Sequence, residues 1–269
     1  MQPEDRYLEV NKKAWNTKTA YHVASPFYDM PSFIAGQTTL KDIELGLLGD
    51  VTGRKVLHLQ CHFGQDTISL ARMGAIATGV DFSDKAIDQA RDISITTDVP
   101  ATFICCDIYN LHHHLDEQFD IVFTSYGTIG WLPDLTKWAA VISRFLKPNG
   151  RFVFAEFHPV VWMFDSNFEK IQYNYFKDAA IREVDTGTYA DVDAPIENET
   201  ITWNHSIGEV VDSLIASGLT ISELSEYDYS PYPCFNNTEE FKPGKWRVSS
   251  LGNKLPMVYS INAVKTGNK

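Results

Sequence analysis

VLHLQCHFGQDTISLARMGAIATGVDFS, residues Val56 to Ser83, decides how this chain folds. Lys55–Leu59 is an apolar run of strand length, and a short loop carries it to Gly64. Asp66–Met73 has helical spacing and stops at Gly74. Ile76–Val80 is a second strand, with Asp81 at its tip. Strand, tight loop, helix and strand in so short a span predict parallel sheet construction. A glycine such as Gly64 lets a loop pass close to whatever it approaches, and the helix beyond offers free backbone N–H groups at its start.

The alternation continues outward. Ser83 is placed to cap a helix over Asp84–Ile93, whose residues Ala86, Ile87, Ala90 and Ile93 share one face. Ala101–Cys105 and Phe119–Thr124 read as the third and fourth strands. Leu135–Leu146 reads as a helix stopped by the turn Lys147-Pro-Asn-Gly150, and Arg151–Phe157 as the fifth strand. Ser206-Ile-Gly-Glu209 is a capping-box pattern that opens a helix ending at Ser217 and Gly218. Leu219–Tyr227 and Met257–Val264 supply two last strands. Four segments result: 1–50 as N-terminal helices, 51–157 as the core, 158–205 as an aromatic-rich insertion without a clean period, and 206–269 as completion of the sheet around a long loop at 228–255.

In doubly wound sheets a ligand sits at the carboxyl ends of the strands, and an acid at the second strand tip accepts from ribose hydroxyls. Asp81 holds that place, and Asp107 after the third strand is placed to accept from an adenine amino group. In these features the sequence resembles the class I S-adenosylmethionine-dependent methyltransferases. Val56–Gly64, Gly79-Val-Asp-Phe-Ser83, Cys105-Cys-Asp-Ile-Tyr-Asn110, Phe119–Ser125 and Leu146–Phe154 look like that family's motifs, in order. The resemblance covers roughly residues 50–157, and 206–265 more weakly. It implies an α/β, doubly wound, seven-stranded and mostly parallel sheet of Rossmann-like type. It also implies an enzyme that transfers a methyl group from S-adenosylmethionine in line to a small molecule, leaving S-adenosylhomocysteine. The residues it assigns to the donor are Tyr21, His58, Gln60, Cys61, Gly64, Asp81, Phe82, Asp107, Ile108 and Ser125. One departure stands out. Where the family usually has an acid followed by glycines, this chain has His58, Gln60 and His62, and only Gly64 remains.

Trp15, Tyr21 and Tyr28 can serve as a lid or as packing. Tyr126, Trp131, His158, Trp162, Tyr229, Tyr232 and Phe235 are candidates to line an acceptor cavity suited to a flat or apolar molecule. His158, at the fifth strand tip, is the candidate catalytic base, with Glu156 on its side of the strand to orient it. His58 and Cys61 would point to opposite faces of a continued strand, and no second cluster joins them, so no metal is expected. His112–His114 reads as a solvated turn and Cys105-Cys106 as packing.

Composition narrows the partners. A net charge of −12 over 269 residues argues against nucleic acid. No apolar run reaches the roughly 18 residues that span a bilayer. Four irregularly spaced cysteines and a polar start point to the cytoplasm. The aromatic insertion leaves oligomerisation open. Two other functions remain: a ligand- or protein-binding module that keeps the fold without catalysis, and a nicotinamide-dependent oxidoreductase, against which Asp107 and the lone glycine count.

Overall fold

The computed structural model describes residues 6–267, so the outermost residues of the N-terminal and C-terminal segments lie outside it. Three helices come first, α1 (Tyr7–Ala24), α2 (Met30–Ile34) and α3 (Asp42–Leu48). The core then alternates: β1 (Lys55–Leu59), α4 (Gln65–Arg72), β2 (Ile76–Asp81), α5 (Asp84–Thr96), β3 (Thr102–Cys105), β4 (Phe119–Ser125), α6 (Leu135–Phe145) and β5 (Leu146–Phe157). A hairpin of β6 (Ile181–Thr186) and β7 (Glu197–Thr202) lies in the insertion. After it come α7 (Ile207–Ala216), β8 (Leu219–Tyr227), a second hairpin of β9 (Thr238–Lys242) and β10 (Lys245–Val248), and finally β11 (Val258–Lys265).

The main sheet has seven strands in the order β3-β2-β1-β4-β5-β11-β8. Pairing is parallel from β3 through β5, and β11 runs antiparallel to both β5 and β8. Strands covered on both faces read as continuous apolar runs, as β1 does with Val56, Leu57 and Leu59 all buried. On one face Trp138, Ile142 and Phe145 of α6 and Val210 and Leu214 of α7 cover Phe152, Phe154, Tyr259 and Ile261. On the other, α3 and the loop before β11 cover Val56, Phe123, Val153 and Val258, while α5 packs on Phe103 beside α4.

Local chemistry fixes the helix starts. Ser83, Asp134 and Ser206 each accept a backbone N–H from their first turns. Strand β5 begins earlier than the sequence implies. Leu146 already pairs with Phe119, and the expected turn survives as a register break where Asn149 takes φ +63°. The two hairpins are additions to the expected plan. Among the described residues, no helix is long and apolar enough to cross a membrane.

The insertion is fastened to α1. Asn11 donates from its amide to the Ile201 carbonyl at 2.7 Å and accepts from the Ile201 N–H at 2.9 Å. The Tyr7 and Trp203 rings meet edge to face at 5.4 Å. The helical segment before the core and the hairpin after β5 therefore form one cover over the carboxyl ends of the central strands.

Candidate functional site

The chain steps outward from β1 to β3 and then returns to β4 on the other side of β1. The crevice beyond the carboxyl ends of β1 and β4 is therefore the switch point of the sheet, the usual ligand position in such folds. The loop that leaves β1 has an unusual backbone. Gln60, His62 and Gly64 take φ of 56°, 52° and 82°. The bulky side chains at 60 and 62 thus sit on left-handed backbone, which costs each about 1 kcal/mol or more.

Gly64 is required for packing. A Cβ there would come within 2.8 Å of the Phe103 ring and Ala90, so the glycine lets α4 start tight against β3 and α5. The close approach that the glycine permits is to the protein interior.

Asp81 ties two strand ends together. One carboxylate oxygen accepts from the His62 N–H and the other from the Ser83 N–H, both at 2.9 Å. Burial pushes its carboxyl up to about 6, against the pull of those N–H donors. Asp107 accepts from the Tyr109 N–H and the Asn110 amide, and burial raises it as well. Phe82 is half-buried between the two acids in sequence, whereas Ile108 is buried in the core with Leu57 and Leu111.

His58 and Cys61 do not face opposite ways. The strand ends at Leu59 and the left-handed turn at Gln60 breaks the alternation, so both approach Thr67 on α4. His58 Nδ1 lies 2.9 Å from the Thr67 hydroxyl, and the Cys61 sulfur packs where Gly79 has no side chain. Burial lowers His58 to about 4 and raises the Cys61 thiol. The pair therefore clips β1 to α4. Among the described residues, no three His, Cys, Asp or Glu side chains are grouped to hold a metal ion.

Helix α1 brings to the loop a stripe of which Trp15 alone is marked out by the sequence pattern. Trp15, Lys18 and His22 recur at i, i+3 and i+7, one face of a helix. The Trp15 ring meets His62 at 5.0 Å and Trp131 at 5.3 Å, and Lys18 Nζ lies over both indoles. Trp131 thus belongs beside the β1 loop, and the expectation that it lines an acceptor cavity above β4 is corrected. His22 Nε2 sits 3.1 Å from the Thr188 hydroxyl, and Tyr28 bonds Tyr189 across the cover. Tyr21 is half-buried on the same helix, next to the stripe. Burial, with Lys18 nearby, pushes His22 down to about 3 and His62 well below the usual histidine range. Three buried polar atoms here have no hydrogen-bond partner among the described residues: His22 Nδ1, Gln60 Oε1 and His62 Nε2. Buried polar atoms are seldom left so.

The expected base is tied up. His158 Nε2 lies 2.8 Å from Glu226 on β8, and its Nδ1 accepts from the Val160 N–H at 3.2 Å. Glu156 does not orient it. Its carboxylate accepts instead from the N–H groups of Gly127, Thr128, Ile129 and Phe157 and from the Thr128 hydroxyl. Of the other aromatic candidates, Tyr126, Tyr232, Phe235 and Trp162 do gather with Phe157. Tyr229 packs on the same apolar cluster and also meets Phe241 and Lys245. Ser125 ends β4 within 3.4 Å of Asp66.

Comparison with known proteins agrees with this architecture. A family model described as a methyltransferase domain matches residues 56–150. An uncharacterized methyltransferase of Synechocystis sp. is 33% identical over 134 residues, covering 49% of this chain and 60% of that protein. The ubiquinone biosynthesis O-methyltransferase of Proteus mirabilis is 26% identical over 137 residues, covering 49% of this chain and 56% of its own length. The chain thus spans less than two thirds of either relative. The structure of an S-adenosylmethionine-dependent methyltransferase from Clostridium acetobutylicum superposes with a TM-score of 0.58 at 16% identity, over 96% of this chain and 99% of that one. Residues 56–150 thus carry a methyltransferase domain, set on a seven-stranded sheet of this order.

Proposed function

We propose that the chain binds S-adenosylmethionine between the Gln60–Gly64 loop, Asp81, Asp107 and α1, and passes its methyl group to a small, flat or apolar acceptor. The observation that carries this reading is the gathering of Lys18 and three unpartnered buried polar atoms around the loop tied to Asp81. The donor set matches the molecule. Asp81 and Asp107 suit ribose hydroxyls and an adenine amino group. Gln60 Oε1 and the neutral imidazoles of His22 and His62 suit an ammonium, and Lys18 suits a carboxylate.

When bound, S-adenosylmethionine supplies a methyl carbon activated by a sulfonium. Such a transfer disperses charge, so a dry site that holds both reactants in line lowers the barrier. The cover made by α1 and the insertion would exclude water, with Trp15 and Trp131 against the loop. Tyr126, Phe157, Tyr232 and Phe235 would form the acceptor wall, which supports a flat apolar partner. The four cysteines are free thiols, which supports the cytoplasm as the compartment.

Tryptophan fluorescence tests the donor site, because Trp15 and Trp131 flank it. Titration with S-adenosylhomocysteine should change the emission of the wild-type protein. Lys18→Met and Asp81→Asn should each weaken binding by about tenfold, near 1.4 kcal/mol. Unchanged affinity in both variants would sink the assignment.

A further inference from the structure

Beyond the donor site, one buried group is used by nothing described so far. Glu44, on α3, is fully buried. One of its carboxylate oxygens accepts from the Lys41 N–H at 3.1 Å, which caps the helix. The other accepts from the Tyr126 hydroxyl at 2.7 Å. Capping accounts for the first contact, since exposed carboxylates cap helices equally well, but not for burial against a phenol. Among the described residues, Glu44 has no cationic partner within ion-pair distance; Lys41 Nζ lies instead over the Tyr232 ring.

Tyr126 is the first residue past β4, beside the switch point. It takes φ of 41°, a left-handed conformation costly for a bulky side chain. Its ring is held between Phe157 at 5.4 Å and Tyr232 at 5.3 Å, while part of the residue stays open to solvent. A strained backbone here serves to aim one hydroxyl at a carboxylate while its other side faces the aromatic wall.

We infer that Tyr126 and Glu44 form a proton-accepting pair for an acceptor with an acidic hydroxyl, a phenol or an enol. The inference deepens the proposed function and rests on it. The acceptor O–H bond breaks with its electron pair staying on oxygen, and the proton goes to Tyr126 Oη. Tyr126 at the same time gives its own proton to Glu44 Oε2. Tyr126 ends neutral and Glu44 ends as a carboxylic acid. The phenolate oxygen then bonds the methyl carbon as the carbon–sulfur bond breaks with its pair on sulfur. After product leaves, Glu44 returns a proton to Tyr126 Oη as Tyr126 gives its own proton to solvent water. Tyr126 is the catalytic residue and Glu44 acts through it.

The surroundings favour this role. Burial, and then the Asp66 carboxylate, push Glu44 up to about 7, near the working range of a base at neutral pH. The ionisable groups around it are Asp66 on α4, Tyr126 after β4 and Tyr232 in the connection after β8; His58 faces Asp66 from β1, and Lys41 lies beyond Tyr232. Asp66 is occupied by the Thr39 and Ser125 hydroxyls, which leaves the Tyr126 bond to Glu44.

The test uses 4-nitrocatechol, whose phenolate absorbs in the visible. Added to the full-length protein at a pH where the free probe is protonated, it should bind as phenolate without releasing a proton to the buffer. Tyr126→Phe and Glu44→Gln should bind it as the neutral phenol and shift the midpoint of its titration upward by about one unit or more. The Gln variant keeps the helix cap, and unfolding midpoints confirm that both variants fold. A phenolate signal unchanged in both variants overturns the inference, as does a wild-type protein that binds no phenolate. Calorimetry with S-adenosylhomocysteine on the same three proteins separates the two readings. Equal donor binding with an unmoved phenolate signal removes the pair alone. Loss of donor binding with the phenolate signal intact in wild type removes the donor site alone.

Discussion

The loops that leave β1 and β4 are neighbours at the same end of the sheet, and both bend through left-handed residues. Gln60 and His62 do so in the first, Tyr126 and Gly127 in the second. They differ in how their polar groups are satisfied. In the β4 loop Glu156 takes up the N–H groups of Gly127, Thr128 and Ile129 together with the Thr128 hydroxyl. In the β1 loop Asp81 accepts a single N–H from His62, and two side-chain atoms of the loop lack a partner. A carboxylate that saturates a loop makes a rigid wall. On the proposed reading, the loop left with unpaired buried atoms takes its last partners from the donor.

Breaking the saturated loop should cost the most. Glu156→Ala strands four backbone N–H groups and the Thr128 hydroxyl at once, and each unsatisfied donor costs about 1–3 kcal/mol. The expected loss is about 5 kcal/mol, read from urea unfolding; a loss below about 1 kcal/mol would show that the clamp is dispensable. Gly64→Ala comes next. It adds left-handed strain to a Cβ that has no room beside Phe103 and Ala90, for about 3–4 kcal/mol. A near-neutral Gly64→Ala would mean that α4 can shift, and that the β1 loop is looser than its packing implies.

The smallest expected effect is a pH dependence. The Asp81 carboxyl is raised from 3.8 to about 6 in the folded protein. The folded state therefore holds its proton more tightly than the unfolded state does. Its contribution is fully present below about pH 4 and is lost as pH rises through about 6, an effect of order 2–3 kcal/mol. Unfolding of wild type and Asp81→Asn should diverge across that window, with wild type losing relative stability as pH rises. Parallel profiles would contradict the buried placement of this acid.

Most of the core was legible because its elements are regular. β1, α5, β4 and β8 lie within a residue or a turn of where hydrophobic spacing and caps place them. The hairpins were not. β6 is largely exposed and has no apolar stripe to mark it. β9 and β10 did carry a signal, Pro243-Gly244 between two short runs with aromatic residues, which suits a two-residue turn. The positions of Asp81 and Asp107 at the ends of β2 and β3 could be read from the strand pattern. The partner of His158 could not, because Glu226 comes from β8, two strands away across β11. Glu44 was hidden for the same reason: its meeting with Tyr126 spans 82 residues of chain. Trp15, Lys18 and His22 were readable in principle from their spacing, yet a helix rich in polar residues conceals its one buried stripe.

Calorimetric titration with S-adenosylmethionine tests the central claim most directly, with NAD as the competing ligand. The β1 loop should take S-adenosylmethionine with a dissociation constant in the micromolar range, about −8 kcal/mol, and ignore NAD. No heat with S-adenosylmethionine, or a preference for NAD, would contradict the account.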